Sequence, residues 1–355
     1  MTFFPIFKNH SQWPLAAVLM SVCTMHCASR TLSQPPLGED AAYEGEDEDI
    51  QEAVQIVQEI QKKEAEKANQ SKASRGAHAK GLGCALGDLF PIASRDPQTK
   101  EGAFAQFTKY SAFVRFSNAP ASHPPDKQEG PRGFALKLKN VPGQKLWNAD
   151  GNNSDLDLLM VSVPIFPNRS VAEYNQFVTS RTWFLLTHLP TVLKVRGFIP
   201  KDVTSVIDHT YFSIGAIKWG KKAAKLKINP CKSPLNRELS ATEREENKDH
   251  FLSLELKRYL KKQDACFELS AQIQKDPVAQ PVEDLTVNWE TDDTPFLPFA
   301  RLTLPVQSVL PSDSSGSTCE ASAFNPWRTI AEHRPLGSLM RARKAVYDAS
   351  LKTRM

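Results

Sequence analysis

Three short stretches hold residue types whose spacing could do chemistry. In RARKAVYDASLKTRM, Arg343 lies four residues before Tyr347, and Arg354 lies seven after it. A helix puts all three on one side, a phenol between two guanidinium groups. In RGAHAKGLG, His78 stands near Arg75 and Lys80 among Ala77, Ala79 and Gly81. Such small neighbours let a ligand approach the imidazole closely. In FVRFSNA, Arg115 and Ser117 fall on one face of a strand, because side chains alternate. An arginine between Val114 and Phe116 is costly to bury unless it binds an anion. Taken singly, each stretch also fits a plainer reading: a solvated basic helix, a loop histidine, an outward-facing arginine.

These residues need elements to position them. EDEDIQEAVQIVQEIQKKEAEKANQ carries Ile50, Val54, Val57 and Ile60 at helical spacing, with acids first and lysines last. That pattern is an amphipathic helix matched to its dipole, a packing element without chemistry of its own. From Tyr110 the period changes to that of strands: YSAFVRFS, GFALKLK, LDLLMVSVPIF, then CFELSAQIQ and ARLTLPVQ. Between the two strand groups, the segment from Val171 to about Leu260 reads as helical, including the basic stretch IKWGKKAAKLKI. That stretch reads as a solvated helix face, with membrane-surface contact as a secondary expectation. The tail from Arg334 reads as helix. The layout predicts an α+β protein, an antiparallel sheet or barrel with added helices. No glycine-rich phosphate loop and no strand–helix alternation supports a doubly wound sheet.

The chain has 355 residues, 41% hydrophobic and 24% charged, as expected of a globular protein. A formal net charge of +4 gives no electrostatic case for nucleic acid. Residues 1–29 read as a signal peptide: Lys8, an apolar run from Trp13 to Met25, then Cys27, Ala28 and Ser29. The run is too short for a membrane span, and it predicts a periplasmic or secreted protein. Residues 30–45 read as a linker, and 46–355 as a single domain. Cys84, Cys231, Cys266 and Cys319 form no CxxC pair, which argues against a zinc site. In an exported chain, two of Cys231, Cys266 and Cys319 could pair, and the spacing leaves the choice open.

Together the stretches resemble one family. RxxHAKG, VRFS, PRGFALKL, a strand running into PIF, and RxxxY with an arginine seven beyond are similar in order and content to the haem catalases. The close FNPWRTIAEHRPLGSLMRARKAVYDAS resembles a smaller, divergent catalase-related peroxidase branch. The resemblance runs from about Glu46 to the end and is thin between about Arg196 and Phe267. It implies an antiparallel β-barrel with surrounding helices, and haem b buried between the barrel and the C-terminal helix. It implies Tyr347 as the axial iron ligand, held as phenolate with the help of Arg343. Arg75, Arg115 and Arg354 match positions that pair with the haem propionates. His78 would be the distal acid/base, fixed in its tautomer by Ser117. Phe166 and Tyr174 match apolar positions on the distal side.

The chain also departs from the pattern. Catalases carry an asparagine just before the PIF stretch, and here Val161, Ser162 and Val163 stand there. Ser162 could hydrogen-bond peroxide weakly, and Val161 cannot. Asn152 and Asn153 lie upstream of the matching position. Gly130 and Pro167 replace an aspartate and a phenylalanine that are common in the family. The expected function is therefore a haem peroxidase acting on hydrogen peroxide or an organic hydroperoxide, with weak catalase activity. The alternatives are a fatty-acid hydroperoxide-converting enzyme of the allene oxide synthase type and a non-catalytic periplasmic haem-binding protein. Ala77 stands where the allene oxide type usually has threonine. The short length implies a monomer or homodimer.

Overall fold

Among the described residues, nine strands form the scaffold of the molecule: β1 (Gly81–Pro91), β2 (Tyr110–Asn118), β3 (Arg132–Leu138), β4 (Leu156–Val161), β5 (Tyr211–Phe212), β6 (Ile217–Trp219), β7 (Lys222–Pro230), β8 (Ala265–Ile273) and β9 (Phe296–Leu304). Each pairs antiparallel with its neighbours, in the order β5-β4-β3-β2-β1-β9-β8-β7-β6, and β5 also pairs with β7. That last pairing, Tyr211 with Ile228 and Phe212 with Lys227, closes eight strands into a barrel and leaves β6 as a hairpin extension of β7. Closure removes the free edges that an open sheet would expose. The computed structural model describes residues 32, 34–106, 108–232, 236, 238–289, 293–310 and 318–355. The expected signal peptide, residues 1–29, lies outside the described residues.

Eight helices of the described residues accompany the barrel: α1 (Glu46–Lys67), α2 (Val171–Thr179), α3 (Arg181–Thr187), α4 (Leu189–Phe198), α5 (Ala241–Glu246), α6 (Phe251–Lys262), α7 (Thr318–Ala321) and α8 (Ser338–Arg354). None of them is long and apolar enough to cross a membrane. The α+β expectation holds, and so does the barrel.

Alternation along β2 decides what faces where. Val114 and Phe116 join the barrel's interior core with Phe134, Phe267 and Leu269. Phe116 meets Phe134 edge-on at a centroid distance of 5.2 Å, a favoured aromatic geometry. Phe113, Arg115 and Ser117 fall on the outer face, yet are buried, because helices and the chain near Cys319 cover that side.

Two elements differ from the sequence reading. IKWGKKAAKLKI is not a helix but the β6–β7 hairpin, turning at Gly220 with φ +60°. The lysines that suggested a solvated helical face include Lys225, which is buried with its ammonium over the Trp289 ring. The first strand is β1, not the one at Tyr110. Its glycines and small residues hid a segment that forms the centre of the sheet.

Residues 34–45 run along the body. Gly38 N–H donates to Gln274 Oε1 at 2.8 Å, and Ala41 N–H to Glu283 Oε1 at 2.9 Å. Asp40 pairs with Arg334 at 2.8 Å and with Arg341 at 2.5 Å. This segment and α1 are thereby joined to the start of α8, where Arg341 also pairs with Glu46 at 2.5 Å.

Candidate functional site

One apolar cavity of about 340 Å³ lies against the outer face of β2, β3 and β4, with α8 and α1 among its walls. His78, Arg75, Arg115, Ser117, Phe166, Tyr174, Arg343, Tyr347 and Arg354 all line it, so every site residue expected from the sequence reaches the same space.

His78 sits in the loop ahead of β1 with φ +57°, a left-handed backbone that a non-glycine residue seldom adopts. Its N–H donates to Ala119 O at 2.8 Å, and its own carbonyl accepts from Arg115 Nη2 at 3.1 Å. The ring follows from that fixed backbone: Nδ1 lies 3.1 Å from Ser117 Oγ. Gly133 makes the approach feasible. A Cβ there would collide with His78 Nδ1 and with Ser117 Oγ, so only glycine admits the imidazole against β3. Burial lowers the imidazole pKa to about 3, reinforced by the positive charges of Arg115, Arg343 and Arg75. His78 is therefore neutral at ordinary pH.

Helix α8 supplies another wall. Arg343 Nη2 donates to Tyr347 Oη at 2.8 Å, and its guanidinium lies 5.0 Å from the ring centroid. The four-residue spacing read in the sequence thus becomes a direct bond. A cation donating to the phenol oxygen stabilises negative charge there. Tyr347 is the residue that could hold a metal through that oxygen. No cluster of three or more His, Cys, Asp or Glu suits a metal among the described residues. Phe166 and Tyr174 line the cavity from other positions. Tyr174 packs against the buried cluster of Ala53, Val171 and Ala342. Burial and the neighbouring Tyr347 raise its pKa.

Arg75, Arg115 and Arg354 converge, but on a residue that the sequence reading did not include. Glu320 Oε1 accepts from Arg115 Nη2 at 2.9 Å and Nε at 3.1 Å. Its main-chain oxygen accepts from Arg75 Nη2 at 2.9 Å and Arg354 Nη1 at 3.0 Å. Arg75 Nε is buried without a hydrogen-bond partner. Burial, then the charges of Arg115 and Arg354, hold the Arg75 guanidinium well below its usual range. Three cations around one carboxylate leave positive charge uncompensated, as a site for an anionic ligand would.

The wall next to Gly133 is apolar. Val161, paired with Gly133 across β3 and β4, lines the cavity together with Val163. Ser162 does not serve as a weak peroxide contact: its hydroxyl accepts from Arg132 N–H at 2.9 Å, and it is absent from the lining. Asn152 is occupied in its own turn, accepting from Ser154 and Asp155 N–H. The helix α1, expected only to pack, contributes Ala53 and Val57 to the lining. Ile214, with φ +57°, also reaches the cavity, and nothing in its local sequence announces that.

Cysteine pairing also differs from expectation. Cys231 pairs with Cys266, within the expected set, but Cys319 pairs with Cys84, which that set omitted. Cys84 lies on β1 opposite Arg115 in the strand register, so the bond brings residue 319 beside the arginines.

No protein-family model matches the chain, and no curated protein sequence matches it. Solved structures do. A fungal catalase is 20% identical with TM-score 0.61, the match covering 82% of this chain and 61% of that one. Catalase A from Saccharomyces cerevisiae is 19% identical with TM-score 0.63, covering 82% and 63%. A bacterial catalase is 17% identical with TM-score 0.61, covering 84% and 60%. The chain thus spans 60% to 63% of the length of these catalases. At such identities the likeness concerns fold, and the fold of this chain is catalase-like: an eight-stranded antiparallel barrel with surrounding helices.

Proposed function

We propose that the chain is a haem-dependent, catalase-like oxidoreductase that reduces hydrogen peroxide or an organic hydroperoxide. The observation that carries this reading is that one apolar cavity has the His78–Ser117 pair and the Arg343–Tyr347 pair in its walls. The residues fit haem b. The cavity is apolar, Arg75, Arg115 and Arg354 are short of negative charge, and the Tyr347 phenol oxygen is bonded to a guanidinium. Haem would supply a ferric centre that binds peroxide, with Tyr347 as the protein's iron ligand. Arg75, Arg115 and Arg354 would hold its two carboxylates by charge-assisted hydrogen bonds.

His78 does the proton work. It is neutral, and its Nδ1 is engaged by Ser117, so Nε2 would take a proton from one peroxide oxygen and return it to the other, the two electrons that O–O cleavage consumes coming from bound haem. Ser117 keeps the ring from rotating and fixes which nitrogen is free. No side chain among the described residues does for the second peroxide what a wall amide would do, because Val161 and Val163 are apolar and Ser162 is turned away. Oxygen release from two peroxides is accordingly slow relative to peroxidase turnover. The same apolar wall admits an organic hydroperoxide. Two disulfides support an oxidising compartment, periplasmic or extracellular, and the expected assembly is a monomer or homodimer.

The test is absorbance of the full chain expressed with ample haem. An intense porphyrin band retained in His78→Ala, with peroxide turnover lost, supports the reading. A chain that takes up no haem refutes it. Turnover unchanged in His78→Ala means that His78 is not the acid/base and overturns the mechanism given above.

A further inference from the structure

Glu320 lies within the arginine cluster without a part in the reaction proposed above. It stands on α7, a helical turn of only four residues, too short to hold itself in place. What holds it is long-range. Cys319, the residue before it, is bonded to Cys84, and Cys84 is the register partner of Arg115 on the same barrel face. Both cysteines are fully buried. The carboxylate reaches Arg115 at 2.9 Å and stands 3.5 Å from Arg75 Nε, while the main-chain oxygen takes bonds from Arg75 and Arg354. Among the described residues, no other carboxylate forms an ion pair with these three arginines.

We propose that Glu320 is a built-in counter-anion that sets the charge specificity of the pocket: it cancels one of three guanidinium charges and leaves two for a ligand that brings two carboxylates. A ligand with no carboxylate leaves buried cations unpaired, and one with three crowds Glu320. The inference rests on the haem reading for the identity of the ligand. The counter-charge itself stands on the geometry of the free chain.

Glu320→Gln keeps the shape and both main-chain bonds and removes only the charge, so the experiment has two arms. In the first, the full chain without porphyrin is melted at low ionic strength. Glu320→Gln lowers Tm by a few degrees, and added inorganic phosphate restores it, raising Tm more in the variant than in the native chain. Equal Tm values and equal phosphate responses overturn the proposal. In the second arm, absorbance titration follows haem and its dimethyl ester. Glu320→Gln binds haem about tenfold more tightly, because one negative charge beside the incoming carboxylates is gone. The gain is absent for the diester. Weaker haem binding in the variant, or the same gain for both porphyrins, also overturns it. If no porphyrin binds any version but phosphate rescue is seen, the haem reading fails and the counter-anion stands. If haem binds and neither arm moves, the counter-anion fails and the haem reading stands.

Discussion

The two ends of α8 carry opposite charge problems. At its first turns Arg341 meets Asp40 and Glu46 at 2.5 Å and Glu283 at 2.9 Å, and Arg334 shares Asp40. Toward its last turn Arg354 joins Arg75 and Arg115 around Glu320, the one carboxylate among the described residues that pairs with this group. The chemistry follows the count. Burial alone would lower the Arg341 pKa, but its bonds to Glu46 and Glu283 raise it above the usual range. Burial lowers that of Arg75, and the nearby Arg115 and Arg354 lower it further. The first cluster is closed within the chain and ties residues 40–46 to α8. The second is open and asks for an anion. The three carboxylates at the first end outnumber its two guanidiniums, and the N–H groups of Ala41, Gly337 and Ser338 make up the difference. Buried charges satisfied within the chain mark scaffold, and buried charges that are not mark a site.

The largest expected effect tests the closed end. Among the described residues, Arg341→Ala leaves the buried Glu46 and Glu283 without a cation and Asp40 with Arg334 alone, and costs about 3–5 kcal/mol by chemical denaturation. Added anions do not recover it. A loss below about 1 kcal/mol would erase the distinction between the two ends.

At the open end the pattern reverses. Arg75→Ala leaves the stability of the porphyrin-free chain nearly unchanged, since it relieves repulsion as much as it breaks bonds. Its haem affinity falls about tenfold to a hundredfold, the scale of one charge-assisted contact. A large loss of stability with intact affinity would make this cluster scaffold too.

Acid separates the ends by pH. His78, beside the open cluster, titrates at about 3 when folded, and the buried His333 at about 4, both below the ordinary 6.5. The unfolded chain therefore binds protons first. Their contribution is fully present above about 6.5 and is lost as pH falls toward 4 and 3. At the closed end, Arg334 and Arg341 overcome the effect of burial and lower the Asp40 pKa below 3.8, so its contribution is lost only below that value. Denaturation free energies against pH should show the histidine phase first, and His78→Asn should remove part of it. A curve flat from pH 7 to 4 contradicts this.

The smallest effect concerns the wall across from the arginines. Val161→Asn places an amide next to Gly133 and His78 and raises oxygen release from hydrogen peroxide several-fold, about 1 kcal/mol of barrier, by oxygen electrode. No change would mean that peroxide placement does not limit the rate.

Much of the site was legible because its parts are local. Arg343 and Tyr347 meet through helical spacing, and Arg115 and Ser117 share a face through strand alternation. The parts that were not legible are long-range. Lys225 reads as a solvated lysine, yet its stem packs inside a hairpin over Trp289. Ser162 reads as a peroxide contact, yet Arg132 on the neighbouring strand takes its hydroxyl. The helical reading of IKWGKKAAKLKI failed because both faces of β7 are buried, which blurs the two-residue period.

The sequence by itself determined which groups exist and which lie one turn or two residues apart: the imidazole, the phenol with its guanidinium, and the order of motifs along an α+β chain. Only the tertiary structure decided that Glu320 stands among the three arginines, that Cys84 takes Cys319, and that α1 lines the cavity. The Arg75–Glu320 and Cys84–Cys319 contacts join residues 245 and 235 positions apart, and α1 meets α8 across 295. Barrel closure and helix packing set such distances, and no local periodicity encodes them.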